Sequence, residues 1–496
     1  MNAKYHFPPI TLLSDIPQDE LNIGLNYEFL DEVCSFIESK IVEKDLGYQL
    51  VGVEYGFNFT ELKFLDKTTF DARSNIMMEL GYDRVTEFYA DLEHEIINHF
   101  NFDGVSVCSA NTYASEQNAF SVSILHKYCK QLSLKSILEQ CKIGEPKYYF
   151  CVQEDLKPYL LLGKQMQFVS LAVQNNVCIK QTINCMLTGL ITLCSPNDAS
   201  LIVVANDNSY DVYNKIPHLV FGEVIKDFKI FPAVYEYIAR QIELRKRLFE
   251  EEQVEDIYGY NEKAIDKISK LFVVIDDFGG VYNAFNDKWK DIIHDISKAA
   301  KLGDKYGVYF LVVAPLDKSP VLIPLKYGSN TKIAFKVNNP MTSLSVLDNA
   351  GAYNLLFDND AYINAKFFVR TLRRVVTATI SNNEVERVCN FIRANNSSED
   401  KKHLIKGLYA KCEELNKKQE LTEEELFLQK VKELVKSTLG LTYFSLMGAS
   451  GTLKTDAKQT KKIVDYCLEK NYIAWYNKFN YKPNLTKEEY KKIFND

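Results

Sequence analysis

The sequence predicts an α/β fold, a parallel sheet interleaved with helices and carried between two smaller modules. Three observations lead there. Apolar runs and helix-period runs alternate in order from about residue 166 to 337. The apolar runs lack the polar alternation of half-exposed strands, as a parallel sheet covered on both faces requires. The chain has 496 residues, more than one hydrophobic core usually serves.

Residues 1–45 carry an apolar stripe through Leu30, Val33, Cys34 and Ile37 at three-to-four spacing, which predicts a helical lead-in. From 46 to 150, YQLVGVEY and GVSVCSA read as strands around the helical VTEFYADLEHEIINHF, a small α+β module. MQFVSLAV (166–173), INCMLTGLITL (183–193), ASLIVVAN (199–206) and a long charged helix around 230–252 begin the α/β domain, placed at 151–395. LFVVIDDF (271–278), a helix at 286–303, VYFLVVAP (308–315) and TKIAFKV (331–337) continue it. The polar stretch 396–422 reads as a linker or exposed helix, and 423–496 as helix, turn, helix and terminal strand, about the size of a winged helix.

Hydrophobic residues make up 46% and charged residues 25%, which excludes a wholly disordered or fibrous chain. With a formal net charge of −7, any nucleic-acid contact has to come from a local patch. The 11 cysteines are scattered from Cys34 to Cys467 with no CxxC pair and no zinc-ligand spacing, so they read as buried thiols in a reducing cytosol. The start of the chain lacks a secretory signal pattern, and the longest apolar run, YGVYFLVVAPL at 306–316, falls short of the roughly 18 residues that span a bilayer. The expectation is a cytoplasmic protein without membrane insertion.

Four segments, in one order, resemble the FtsK/SpoIIIE family of DNA translocases. They are YNKIPHLVFGEVIKDF (213–228), the arginine-bearing IELRKRLFEEEQVEDIYGYNEK (242–263) with its Gly259-Tyr260-Asn261 turn, TKIAFKVNNPMTSLSVLDNAGAYNLL (331–356) with Leu347, Asp348, Gly351 and Ala352, and RRVVTATISNNEVERVCNFIRAN (373–395). Upstream, 120–156 looks like the sheet that precedes the family's nucleotide loop, and 70–110 like its small N-terminal module. The resemblance implies a RecA-like motor domain, ATP and magnesium as ligands, ring assembly and double-stranded DNA as substrate; the family's membrane-spanning N-terminus has no counterpart here.

A P-loop needs glycines so that backbone N–H groups can close around phosphates, a lysine for the β and γ charges, and a hydroxyl on magnesium. The matching stretch here, AVQNNVCIKQ, has no glycine. Val173, Asn176 and Cys178 stand where the family has glycines, Ile179 at the lysine position and Lys180 at the hydroxyl position; a one-residue shift brings Lys180 onto the lysine position. The acidic motif survives as Asp276 and Asp277, Asp276 being placed to hold magnesium through water and Asp277 being one methylene shorter than the family's glutamate. VVAPLDKSP (312–320) lacks the family's Gln-Arg pair, and Leu344 replaces an arginine that reaches a neighbouring site.

In the last module, Lys454, Lys458, Lys461 and Lys462 mark a helix suited to DNA phosphates, diluted by Asp456, Asp465 and Glu469. Tyr472, Trp475, Tyr476 and Phe479 read as the packing of a wing. The expectation is therefore a pseudo-ATPase with a degraded nucleotide site and no bound cofactor, acting as a structural or regulatory partner of an active FtsK-like motor or of itself. The alternatives are a divergent but active ATP-driven DNA translocase, which would use ATP, magnesium and Lys180, and a secretion or packaging adaptor.

Overall fold

The computed structural model describes residues 5–15, 27–55, 58–66, 88–109, 119–126, 131–153, 157–173, 176–285, 289–315, 325, 327–349, 351–366, 370–396, 401–419, 423–453, 455 and 457–494. They form two compact units, Met1–Tyr409 and Ala410–Asp496.

The first unit begins with α1 (Tyr27–Glu43), β1 (Tyr48–Tyr55), β2 (Phe59–Asp66), α2 (88–100), β3 (Val105–Ser109) and β4 (Ala119–Leu125). The strands make an antiparallel sheet in the order β1-β2-β4-β3. Leu30, Val33 and Ile37 of α1 share one core with Ile96 of α2 and with Phe64 and Phe120 of the sheet. The lead-in helix is thus part of the module, because its apolar stripe is covered by that sheet.

The larger sheet has eight strands in the order β5-β12-β11-β10-β6-β9-β8-β7. They are β5 (Cys151–Val152), β6 (Phe168–Val173), β7 (Ala199–Val204), β8 (Lys270–Ile275), β9 (Val308–Pro315), β10 (Thr331–Phe335), β11 (Asp360–Lys366) and β12 (Arg370–Thr377). The five strands β10-β6-β9-β8-β7 are mutually parallel and, numbered in chain order, run 5-1-4-3-2, the core of a RecA-like motor fold. Two sequence expectations are corrected. The sheet is mixed, since β11, β12 and β5 add an antiparallel edge. Of the 120–156 stretch, Phe120–Leu125 belongs to the smaller sheet and Cys151–Val152 is the part that joins the larger one.

Four helices explain most of the packing. After α3 (Leu134–Leu138), α4 (Asn176–Leu193) is buried along nearly its whole described length, its polar Thr182, Asn184, Thr188 and Thr192 included. A Cβ at Gly189 would lie 2.9 Å from Cβ of Tyr149, so this position admits nothing larger. The helix's own threonines donate back to carbonyls, Thr182 to Cys178 at 2.9 Å and Thr192 to Thr188 at 2.7 Å, so the helix buries no unpaired hydroxyl there. α5 (Phe231–Glu251) carries Arg245, which is buried and donates to the carbonyls of Tyr306 (2.5 Å), Gly307 (3.0 Å) and Ser269 (2.9 Å). It ties α5 to the starts of β8 and β9, and burial pulls its pKa down to about 10. Gly307 adopts φ +66° as the C-cap of the short α9 (Gly303–Tyr306), and a Cβ there would strike Ile257 at 2.3 Å.

Gly259, Tyr260 and Asn261 lie inside a short helix, α6 (Ile257–Lys263), rather than in a turn. Asp256 caps it by accepting from Tyr258 and Gly259, and the Asn261 amide exchanges two hydrogen bonds with Ile268, at 2.9 Å each, just before β8. α7 (Phe278–Phe285), α8 (Trp289–Lys301), α10 (Pro340–Leu347), α11 (Asn382–Asn395) and α12 (Lys402–Gln419) complete the unit's helices, α12 crossing its boundary and filling much of the stretch read as a linker.

The second unit runs α13 (Glu423–Thr438), β13 (Phe444–Ser445), α14 (Leu446–Leu453), α15 (Ala457–Glu469), β14 (Ile473–Trp475), β15 (Asn480–Pro483) and α16 (Lys487–Phe494). Its strands pair in the order β13-β15-β14 over a core that includes Val431, Leu434, Val464 and Cys467. Among the described residues no helix is long and apolar enough to cross a membrane.

The two sheets of the first unit meet at a buried ion pair. Arg374 on β12 grips the Asp360 carboxylate on β11 through Nε and Nη2, donates from Nη1 to Ser123 Oγ on β4 at 2.7 Å, and stacks 3.5 Å over the Phe59 ring of β2. Burial works against the guanidinium's charge, but Asp360 outweighs it and holds Arg374 protonated, above its ordinary range. Removing one partner would leave the other charge buried alone, so Arg374→Met or Asp360→Asn is expected to cost about 3–5 kcal/mol in chemical denaturation. The double change Arg374→Met/Asp360→Leu should recover much of that loss; a single variant of wild-type stability would contradict this.

His218, in the Ile-Pro-His-Leu segment, is buried, and its Nε2 lies 2.9 Å from the Cys194 carbonyl, which requires a proton on Nε2. Burial lowers its pKa to about 4 from 6.5. The folded state therefore binds the proton less readily than the unfolded chain, and His218 contributes stability that is complete above about pH 6.5 and lost as pH falls toward 4. Denaturation curves across that interval should lose about 3 kcal/mol from this source. In His218→Asn the slope in that interval should flatten; an unchanged slope would contradict the assignment.

Candidate functional site

Parallel strands bring their carboxyl ends to one edge, and ligands of such sheets bind there. Here that edge gathers the start of α4 after β6, the loop after β7 and the acidic pair after β8. Asn176 opens α4, while the side chains of Val173 and Asn176 lie outside the described residues. Cys178 and Ile179 both turn into the main core, and burial pushes the Cys178 thiol up to about 11. Of the described side chains singled out in this stretch, Lys180 is the one that reaches the edge.

Its ammonium forms an ion pair with Asp207 Oδ2 and donates to Ser209 Oγ at 2.7 Å. Ser209 N in turn donates to Asp207 Oδ1 at 2.9 Å, so the carboxylate is held from two sides. Burial raises the Asp207 carboxyl, but the bonds from Lys180 and Ser209 outweigh it and leave its pKa below the usual carboxylate value. The loop is also fastened from the far side, where Lys226 donates to Asn208 Oδ1 and pairs with Asp211, each at 2.7 Å.

Asp276 is buried, its backbone N–H bonded to the Val204 carbonyl at 2.9 Å and its carboxylate accepting from the Tyr210 hydroxyl at 2.8 Å. Burial raises its pKa, opposed by Tyr210 and Lys180. Asp277 adopts a left-handed backbone at φ +63° and its carbonyl accepts from Gly280 N at 2.9 Å at the start of α7. The lysine and the first acid that would meet phosphate and magnesium are thus both bonded to the chain's own β7 loop. Sequence reasoning missed Asp207, Ser209 and Tyr210. The signal was the polar run NDNSYD directly after an apolar strand.

Leu344, on α10, is 39% exposed, with Met341 one turn earlier 69% exposed. The Leu-Asp-x-x-Gly-Ala segment after it is a capped helix end. Asp348 takes φ +61° and pairs with buried Lys332 at 2.7 Å, Ser343 Oγ donates to the Asn349 carbonyl at 2.5 Å, and Ala352 N donates to Ser343 Oγ at 3.0 Å. Residues 316–320, where the Gln-Arg pair is missing, lie outside the described residues.

In the second unit Lys458, Lys461 and Lys462 are exposed on α15, opposite the face that buries Ile463, Val464 and Cys467; Asp465 and Glu469 are exposed on the same helix. Lys454 lies outside the described residues. Of the aromatics expected to pack here, Tyr472 meets Phe494, Trp475 leans on Tyr481 and Tyr476 stacks on Tyr443, yet Trp475, Tyr476 and Phe479 remain exposed. The three-stranded sheet β13-β15-β14 is too small, with strands of two to four residues, to bury three large rings.

Residues 181–323 match the model of the FtsK/SpoIIIE family. The chain is 27% identical over 335 residues to the DNA translocase FtsK of Clostridium acetobutylicum, a match covering 65% of this chain and 41% of that protein. It is also 27% identical over 220 residues to the DNA translocase SftA of Bacillus subtilis, covering 43% of this chain and 22% of that protein. Among solved structures it is similar to the pCW3 conjugation coupling protein TcpA in its monomer form with ATPgS, at TM-score 0.46 and 14% identity, covering 70% of this chain and 92% of that one. The chain spans about two-fifths of the length of the first of these relatives. The matched residues run from α4 through β9, across the carboxyl edge just described, and over this core the family model and the curated relatives support membership of the FtsK/SpoIIIE family.

Proposed function

We propose that this chain is a pseudo-ATPase of the FtsK/SpoIIIE type, a motor fold that serves as a structural or regulatory subunit in DNA translocation without turning over nucleotide. The observation that carries this reading is the Lys180–Asp207 ion pair with Ser209. A phosphate-binding lysine has to present its charge to the ligand; here that charge is already matched by a carboxylate of the same chain. The Tyr210 hydroxyl donates to Oδ2 of the Asp276 carboxylate from the same loop. The absence of glycine from the loop and Leu344 at the position of the reaching arginine add to this, because developing phosphate charge would meet neither a backbone cradle nor a charged group from a neighbour.

On this reading ATP and magnesium are not needed, and the partner is an active FtsK-like motor or a second copy in a ring. Leu344 and Met341 supply apolar surface on α10 for such a contact. The second unit, whose order of helix, strand, two helices, hairpin and helix fits a winged helix, would lay α15 with Lys458, Lys461 and Lys462 against double-stranded DNA.

Purified protein is expected to release no phosphate from magnesium-ATP above the buffer rate, with or without DNA. Lys180→Ala should leave that rate unchanged and lower stability by about 1 kcal/mol or less, since its ion pair is partly exposed. Magnesium-dependent turnover that disappears in Lys180→Ala would overturn the reading in favour of a divergent active translocase.

A further inference from the structure

We infer that the β14–β15 hairpin is a stacking site for unpaired nucleic-acid bases, separate from the lysine face of α15. Three large rings stand at its tip in a span of five residues, Trp475 56% exposed, Tyr476 49% and Phe479 77%, with Tyr443 beside them 53% exposed. Apolar rings left in water at one small feature are costly unless a ligand covers them.

The rings are held in place. Tyr476 stacks on Tyr443 with centroids 5.0 Å apart and planes at 15°, and Trp475 leans on the buried Tyr481 at 4.6 Å. The tip itself is fixed, because Asn477 Oδ1 accepts from the backbone of both Phe479 (2.9 Å) and Asn480 (3.0 Å), while Tyr476 N donates to the Asn480 carbonyl at 2.9 Å. Each supported ring therefore keeps its outer face open without having to order on binding.

Charge decides the occupant. From Lys470 to Lys487 the sequence contains no aspartate or glutamate and includes Lys478 and Lys482, which are exposed between and beside the rings. This interleaving of rings with cations along the hairpin, whose acidic neighbour is Asp465 of α15 near Tyr481, complements a chain that carries stackable planes and a phosphate backbone. A duplex hides its base faces in its own stack, so the fitting ligand is a single strand. The inference uses neither the nucleotide-site reading nor the duplex contact of α15.

The full chain is titrated with a labelled oligothymidylate of about 16 nucleotides and with a duplex of the same length, followed by anisotropy and tryptophan fluorescence. The single strand should bind and quench Trp475. Trp475→Ala/Phe479→Ala should weaken that binding by about tenfold or more while leaving duplex binding as it was. Trp475→Phe, which keeps a ring, should retain affinity and lose the quenching. Lys458→Gln/Lys461→Gln/Lys462→Gln should weaken the duplex more than the single strand, so a failed α15 contact is scored apart from a failed hairpin. Single-strand affinity unchanged in Trp475→Ala/Phe479→Ala would overturn the proposal, as would a single strand that binds no more tightly than the duplex. Concentration-dependent self-association abolished by the same double variant would also overturn it, marking the rings as a protein interface.

Discussion

The ion pair between Lys180 and Asp207 joins the start of α4 to the loop after β7 at the carboxyl edge of the larger sheet and matches the one lysine charge of that helix. α4 is buried along almost its whole described length, and Lys180 lies where it meets the polar edge. An ammonium held there needs a counter-charge. Nucleotide phosphates would be one solution, and the loop after β7 supplies another from within the chain. Asp207 is held by Ser209 as well as by Lys180, and Tyr210, next along the same loop, turns its hydroxyl to Asp276. One short loop thus answers both the cation and the first acid.

A second constraint lies at the opposite side of the unit. Arg374 touches both sheets at once, gripping Asp360 within the larger one while reaching Ser123 and Phe59 in the smaller one. Such pairs contribute little net stability compared with apolar packing, but they penalise any arrangement that separates the partners. The smaller module is thereby fixed against the antiparallel edge β11–β12, at the end of the sheet away from β7. The strand order of the larger sheet rests on the buried strands, α4, Arg245 and Arg374, none of which needs a bound phosphate.

Much of this was legible in the sequence. β6 to β10 are short apolar runs bounded by helix-period segments, and their order along the chain together with the resemblance implied the parallel core. The antiparallel edge was less visible, because strand direction leaves no mark on a hydrophobic pattern. Gly259 to Asn261 looked like a turn because glycine and asparagine favour turns, yet Asp256 caps a helix over them. At the site, Lys180, Asp276 and Asp277 could be named from spacing, whereas Asp207 and Tyr210 could not, since their partners are 27 and 66 residues away along the chain. The hairpin aromatics misled for a related reason. Burial depends on how much neighbouring surface exists to cover a ring, and a sheet of three very short strands has little.

The most direct test of the internally matched site is thermal melting of wild type and Asp207→Ala with increasing magnesium-ATP. A ligand that binds the folded state raises the melting temperature in proportion to the logarithm of its concentration above its dissociation constant. The account predicts a flat response for wild type. In Asp207→Ala, where Lys180 loses its carboxylate, it predicts a lower melting temperature that rises again as nucleotide phosphate replaces the missing charge. A saturable, magnesium-dependent rise in wild type itself would show that Lys180 and Asp276 are available to nucleotide, and would contradict the account.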